Sequence, residues 1–220
     1  MADGDGLENH CGGNVTVGSN PTPSAPPLRT PPGLVRTERL VLRHWEEQDL
    51  EAFFDLYSRE DVVRWLGAHP RRPLATMQEA RERLGRWRAH ERGLASPLGL
   101  WAMVPCAAGE APVGTLLLLP LSDDGGPTGL VEVGWHLHPQ HQGQGIATEA
   151  ARAVLALAGK AGIEQVLAIT DLDNAASQRV AARLGMTDEG VTERWFGLTA
   201  RQYRKVLSSL ESGPHSELGR

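Results

Sequence analysis

The chain predicts an α/β (α+β) fold: a mixed, mostly antiparallel sheet of about seven strands flanked by helices. Three observations carry this. Short apolar stretches separated by Pro, Gly and Asp turns recur between Gly99 and Leu137. Helical and strand periodicities then alternate from Gly145 to Leu207. Finally, three consecutive strands come before the first long apolar helix, an order that a doubly wound parallel sheet does not use.

The elements follow in order. Leu34–Trp45 reads as one strand, because Leu40 and Leu42 alternate with Arg39, Val41 and Arg43. Glu46–Tyr57 is helical, with Leu50, Phe53, Phe54 and Tyr57 on one stripe, and Asp61–Leu66 adds a short helical turn. Thr76 is placed to cap a helix running to about Arg92, with Glu79 at the capping-box position. Gly99–Val104, Val113–Leu121 and Gly129–Leu137 form an antiparallel meander. Gly145–Ala161 is an Ala-rich helix with Ile146, Ala150, Val154, Leu157 and Ala161 on one face. Ile163–Thr170 is a strand, and Asn174–Leu184 is a helix stopped by Gly185. Met186–Thr192 and Trp195–Leu207 complete the sheet.

Composition narrows the function classes. Of 220 residues, 40% are hydrophobic and 22% charged, with 22 Lys and Arg against 27 Asp and Glu, a net charge of -5. That balance argues against a protein whose main task is coating nucleic acid. No apolar run approaches the ~20 residues of a membrane span, and the acidic start resembles no secretory leader. Two cysteines, Cys11 and Cys106, make no disulfide framework, so a reducing, cytoplasmic setting is expected. Residues 1–33 hold six Gly and six Pro with few large apolar side chains and are expected to be disordered; 211–220 are expected to be a flexible tail. The globular domain is then 34–210, with a charge of 20 - 22 = -2.

The chemistry concentrates in Val131-Glu-Val-Gly-Trp-His-Leu-His-Pro-Gln-His-Gln-Gly-Gln-Gly-Ile-Ala-Thr148. A strand runs into a glycine-rich turn that opens a helix. Gly143 and Gly145 let the backbone approach a ligand closely. The first N–H groups of the helix and its dipole then face an anion. With no metal ligand in the Gln142–Ala147 turn, a pyrophosphate is the natural guest, with Gln142, Gln144 and Thr148 as further donors. A phosphate-binding P-loop would need a Lys, which is missing. A dinucleotide fingerprint would need a parallel βαβ unit and a small residue where Thr148 stands. The remaining pattern is Gln/Arg-x-x-Gly-x-Gly/Ala, met at Gln142, Gly145 and Ala147.

With these residues the chain resembles the GNAT-family N-acetyltransferases, and among them the branch that acetylates N-termini of ribosomal proteins. The resemblance spans about residues 34–208. Thr37-Glu-Arg-Leu-Val-Leu-Arg43 is similar to that branch's opening strand, and Gln142–Ala147 to its acetyl-CoA pyrophosphate loop. Asn174-Ala-Ala-Ser177, running on to Arg183-Leu-Gly-Met186, is similar to its second cofactor motif.

The resemblance implies an acetyl-CoA-dependent transferase, without a metal, that moves an acetyl group to a primary amine by direct attack. The pyrophosphate would lie on Gln142, Gly143, Gln144, Gly145, Ile146, Ala147 and Thr148. The pantetheine arm would run along the backbone of Trp135 and Leu137, with Asn174 bonding it from the next helix start. Gly134 is a plausible bulge residue in that strand. Asn174 also suits a plain helix N-cap. Glu132 is the candidate general base, since an ammonium must lose a proton before it attacks; a salt-bridged Glu132 or an anchor for the substrate ammonium are the alternatives. His136 and His44 are further candidates for the base. Many relatives protonate the departing thiolate with a Tyr seven positions after the motif Asn, but Ala181 stands there, leaving Ser177 as candidate acid against a plain helix-surface serine.

His136, His138 and His141 also invite a metal reading, although no Cys or acid cluster joins them. Seven arginines between Arg71 and Arg92 read as a solvated face or as a rim meeting an acidic substrate. Trp101 and Trp135 are assigned to core or cleft wall; Trp65 and Trp195 could line an acceptor pocket, though packing is the expected role of each tryptophan. Cys106 lies in a turn away from the loop, against a thiol-mediated ping-pong route. The expected acceptor is a protein N-terminal α-amine. Small amines such as aminoglycosides or polyamines, a non-catalytic acyl-CoA sensor and a pyridine-nucleotide oxidoreductase are the competing readings. No membrane or direct nucleic-acid partner is expected, and the protein is expected to be a monomer or homodimer.

Overall fold

The computed structural model describes residues 34–67, 69–107 and 110–207. The segments expected to be disordered, 1–33 and 211–220, lie outside the described residues. Eight strands form one sheet in the order β1-β2-β3-β4-β5-β6-β8-β7. They are β1 (Leu34–Arg36), β2 (Leu40–His44), β3 (Gly99–Pro105), β4 (Gly114–Asp123), β5 (Gly126–Leu137), β6 (Gln165–Asp171), β7 (Thr187–Thr192) and β8 (Ala200–Val206). Every neighbouring pair is antiparallel except β5 with β6.

The eighth strand comes from a break the alternation concealed. Leu34–Trp45 is a hairpin: Val35 faces Leu42 across an antiparallel pair. Its turn is closed by Thr37, whose N–H donates to the Leu40 carbonyl at 2.9 Å while its Oγ1 accepts from the Leu40 N–H at 3.0 Å. Trp195 likewise belongs to no strand; β8 starts only at Ala200.

Five helices cover the sheet: α1 (Leu50–Tyr57), α2 (Glu60–Val63), α3 (Met77–Glu91), α4 (Ile146–Lys160) and α5 (Ala175–Arg183). α4 lies on one face. Its Ile146, Ala150, Ala151, Val154 and Ala158 pack with Leu40, Leu42, Met103, Leu116, Leu118 and Val133. The column of alanines lets the helix sit close to the strands. On the other face Trp45, Phe53, Leu56, Tyr57 and Leu84 form a second cluster with α1–α3 and Ala102. α3 buries only Ala80 and Leu84; Arg81, Arg86 and Arg88 are exposed, while Arg83 is half-buried. Thr76 caps α3 by accepting from the Glu79 N–H at 3.2 Å, while the Glu79 carboxylate reaches the N–H of Ala75 at 2.8 Å.

Gly134 makes no bulge between β4 and β5. It pairs in register with Leu117, and the one register shift of that ladder falls between Pro120 and Ser122. The glycine serves packing instead: a Cβ there would meet the Leu117 side chain at 3.1 Å. Gly114 is tighter still, since a Cβ would come within 2.4 Å of the His136 carbonyl oxygen and 2.9 Å of Leu137 Cδ1. Relief there requires a backbone shift, so Gly114→Ala is expected to cost about 1–3 kcal/mol. Calorimetry should then show a fall of roughly 2–4 °C in Tm per kcal/mol.

Candidate functional site

The site begins where β5 and β6 part. The two parallel strands share one register pair, Glu132 with Leu167. Beyond it β5 continues through Leu137 without a partner on that side. The N–H of His138 donates to the Val113 carbonyl on the β4 side at 2.8 Å. Strand alternation therefore turns the peptide groups of Trp135 and Leu137 to the opposite, open edge. The Leu137 carbonyl on this edge accepts a side-chain bond from Gln142 Nε2 at 3.1 Å.

The glycine turn follows. After a single 3-10 turn at Pro139–His141, Gly143 and Gly145 take φ +75° and +80°, the left-handed region where a Cβ is strained. Gly145 is the N-cap of α4, and no side chain caps that end. The first N–H groups of α4 thus remain available, together with the positive end of its dipole. The turn is latched from the far side by the Glu149 carboxylate. It accepts from Thr37 Oγ1 at 2.5 Å, the Arg39 N–H at 3.0 Å and Arg39 Nε at 2.7 Å. Arg39 Nη1 also reaches the Gln144 carbonyl at 3.0 Å. Burial alone raises the Glu149 carboxyl, but the bonds from Thr37 and Arg39 bring it below its ordinary value.

Two clefts open along the gap. The first is lined by Trp135, Leu137, Gln142, Gly143, Gly145, Ile146, Ala147, Thr148, Asn174 and Ser177. Apart from Ser177, the candidate acid, these are the residues expected to hold a pyrophosphate and its thiol arm, and one expected member is missing. Gln144 is turned away, its side-chain amide tied to the Gln140 carbonyl at 2.9 Å. The second cleft is lined by Glu132, Thr170, Asp171, Phe196 and Thr199 among others. The two share Trp65, Leu66, Trp135, His136, Asn174 and Ser177, so they meet beside β5 and the start of α5.

Three buried polar atoms along these walls lack a partner among the described residues: Thr148 Oγ1 and Trp135 Nε1 in the first cleft, Thr170 Oγ1 in the second. Such atoms carry a desolvation cost unless a ligand or water satisfies them. Asn174 is the N-cap of α5, its Oδ1 accepting from the Ser177 N–H at 3.1 Å, and the residue also lines both clefts. Ser177 does not merely face solvent; it also borders both.

The titratable groups separate by environment. Burial pushes the Glu132 carboxyl from 4.5 up to about 8, and no group among the described residues bonds it. Burial pushes the His136 ring down to about 4. His136 borders both clefts and accepts or donates a bond with Tyr57 at 3.0 Å. His44 is far from either; it bonds Glu91 at 2.9 Å and stacks on Trp101 with ring centroids 5.1 Å apart. That arrangement removes it as a base. Trp65 lines both clefts, whereas Trp195 is fully buried against Leu121 and Leu167 and lines neither. Trp101 is core. Ala181 is also core, in the place where a tyrosine acid was sought. Among the described residues no group of three His, Cys, Asp or Glu gathers as a metal site. No helix among them is long and apolar enough to cross a membrane.

Sequence reasoning missed Arg71. Its guanidinium donates to the Asp171 carboxylate at 2.8 Å and to the carbonyls of Gly67 and Arg64 at 3.0 and 2.7 Å. It thereby pins the segment carrying Trp65 to the end of β6. Its contacts span 100 residues, and only its place in an arginine-rich run marked it.

Comparison with known proteins agrees with this geometry. Residues 39–187 match the model of the acetyltransferase (GNAT) domain. An uncharacterized N-acetyltransferase, YoaA of Bacillus subtilis (strain 168), is 25% identical over 178 residues, covering 80% of this chain and 96% of that protein. The Salmonella typhimurium acetyltransferase that modifies the N-terminal serine of ribosomal protein L7/L12 superposes with a TM-score of 0.62 at 19% identity, over 80% of this chain and 99% of that one. The Microcin C7 self-immunity acetyltransferase MccE, in complex with acetyl-CoA and AMP, gives 0.65 at 19%, over 80% and 97%.

The orphaned hydroxyl supplies a test of the first cleft. Thr148→Val removes a buried, unpaired oxygen, so the Tm of the ligand-free protein should hold or rise. If Thr148 bonds the ligand's phosphates, the same change should weaken CoA binding by about 5–10-fold in calorimetric titration.

Proposed function

We propose that the chain, which belongs to the GNAT acetyltransferase family and uses acetyl-CoA, acetylates a protein N-terminal α-amine by direct attack, within a catalytic domain spanning 34–210. One observation carries the mechanism: a desolvated, unpaired carboxylate, Glu132, faces a second cleft that joins the first beside His136 and Ser177. A chain that binds only an acyl-CoA has no use for such a group, and leaving a carboxyl without a partner there is unfavourable. This favours turnover over a sensor role.

The pyrophosphate rests on the α4 N-terminus, between Gln142, Gly143, Gly145, Ile146, Ala147 and Thr148. Gln144 contributes through its backbone alone. Acetyl-CoA supplies an activated acyl carbonyl. The open-edge N–H groups of Trp135 and Leu137 hold the arm as a pairing strand would, with Asn174 donating from α5. In the second cleft Glu132 takes a proton from the bound ammonium; the amine nitrogen then bonds the carbonyl carbon as the carbon–sulfur bond breaks. The nitrogen's second proton passes to the departing thiolate through the Ser177 hydroxyl, directly or through water, so that Ser177 takes one proton as it gives one, in place of the tyrosine that Ala181 replaces.

The acceptor assignment rests on the sequence resemblance and on the likeness to the acetyltransferase that modifies L7/L12. Trp65, Leu198 and Phe196 add apolar walls suited to a residue beyond the amine. The likeness to MccE supports a second reading, a small-molecule amine. An acceptor screen scored by free-thiol release separates them: peptides with free N-termini should exceed polyamines and aminoglycosides in kcat/KM by at least tenfold. Parity, or preference for a small amine, overturns the protein-acceptor assignment.

A carboxylate base works only when ionised. With a value near 8, the Glu132 carboxyl is mostly protonated at pH 7, so kcat/KM should climb through about pH 8. Glu132→Gln should abolish that limb beyond the acceptor's own titration and lower kcat about 10²–10⁴-fold. The same variant reads on stability. A carboxyl that is protonated in the folded state but ionised unfolded destabilises the fold as pH rises from 4.5 toward 8. Tm at pH 8 should therefore increase in the variant.

A further inference from the structure

A chain of buried hydroxyls ends on His136, and its direction is fixed. Trp45 Nε1, which can only donate, bonds Thr115 Oγ1 at 3.1 Å. Thr115 Oγ1 bonds the Tyr57 hydroxyl at 2.6 Å, and that hydroxyl bonds His136 Nδ1 at 3.0 Å. Thr115 and Tyr57 are fully buried, and neither hydroxyl has another partner. The Thr115 proton therefore has one acceptor, Tyr57. The Tyr57 proton in turn has one acceptor, His136 Nδ1. The reverse polarity would strand the Thr115 proton in the core. An accepting Nδ1 places the proton of the neutral ring on Nε2. That atom has no protein partner, is not a sealed buried atom, and belongs to a residue lining both clefts.

We infer that His136 is not a base but a fixed, neutral N–H donor, held by the Trp45–Thr115–Tyr57 chain and aimed at the charge that develops on the thioester where the two clefts meet. This deepens the transferase reading and rests on it. Charge develops there during the reaction, first on the carbonyl oxygen and then on the departing sulfur, and a preset donor favours that state over the ground state. A neutral imidazole serves as such an electrophile. The proton itself stays on His136, so proton balance remains with Glu132 and Ser177. Residues four apart on a strand have Cα atoms ~13 Å apart, so Glu132 reaches the amine that attacks beside His136 through intervening water. Burial agrees with the neutral state by pushing the ring to about 4. The charged groups sharing its clefts are Asp61, Arg179, Arg183, Glu132, Arg71 and Asp171, and none bonds it.

The direct test is 15N NMR of the histidine rings in the full chain, without any acceptor. His136 should show a single Nε2–H tautomer that does not titrate between pH 5.5 and 9. Tyr57→Phe should release it toward a mixed or titrating ring. An Nδ1–H tautomer, or a ring titrating near 6.5 in the unaltered protein, overturns the assignment even if the protein acetylates amines normally. With an acceptor in hand, His136→Ala should lower kcat about 10²–10³-fold while CoA affinity changes little. His136→Gln, which keeps an N–H donor but no titrating base, should recover at least tenfold of that loss. Equal loss in both variants would also overturn it.

Discussion

The unzipped seam between β5 and β6 is the constraint that organises this molecule. One register pair, Glu132 with Leu167, holds the parallel strands together, and beyond it the peptide groups of Trp135 and Leu137 face open space. A backbone edge inside a sheet demands hydrogen-bond partners. The residues around it answer that demand only in part: Gln142 takes the Leu137 carbonyl, and no other bond to this edge forms among the described residues. The same seam exposes the N-terminus of α4, brings α5 near with Asn174 and Ser177, and leaves Glu132 at the vertex. The two clefts and the burial of Glu132 between them are thus consequences of one interruption in a hydrogen-bond ladder.

Polarity around the seam follows a division between faces. The residues of β5 that point toward α4 are apolar and join the main core, as Val133 and Trp135 do. Those pointing toward α1 are Glu132, Gly134 and His136. The strand therefore carries structure on one side and chemistry on the other. Leu117 leans over Gly134 between the two polar residues and seals the floor with an apolar side chain. Burial moves the proton affinities of Glu132 and His136 in opposite directions, since it opposes the charged form of each.

Much of this was legible in the residue order because it is local. Gly143 and Gly145 mark a loop whose backbone needs glycine, and both take a positive φ there. Asn174 announces a cap three residues before Ser177, and the bond forms. Gly185 takes φ +68° at the end of α5. The failures are nonlocal or masked by periodicity. The 37–39 turn keeps the alternation of the strands on either side, so one strand was read where two exist. Gly134 resembles a bulge glycine but answers to Leu117 on another strand. Trp195 carries no local sign that separates its expected packing role from a pocket role, and Leu121 and Leu167 decide it by closing over the ring. The links from Tyr57 to Thr115 and His136 span 58 and 79 residues, and that from Arg71 to Asp171 spans 100. No periodicity encodes such pairings; tertiary packing alone brings them together.

The single pair joining β5 to β6 also bears on mechanics. To one side lies a raft of five strands, to the other a raft of three, and the covalent link between them is the α4 crossover. On the proposed reading, a ligand laid along the gap would bond β5 on one flank and the start of α5 on the other and so act as mortar between the rafts. Stiffness of the whole body is then borrowed from the reactant and surrendered when the product departs, which places the softest moment of the cycle at the time the next amine must find its way in.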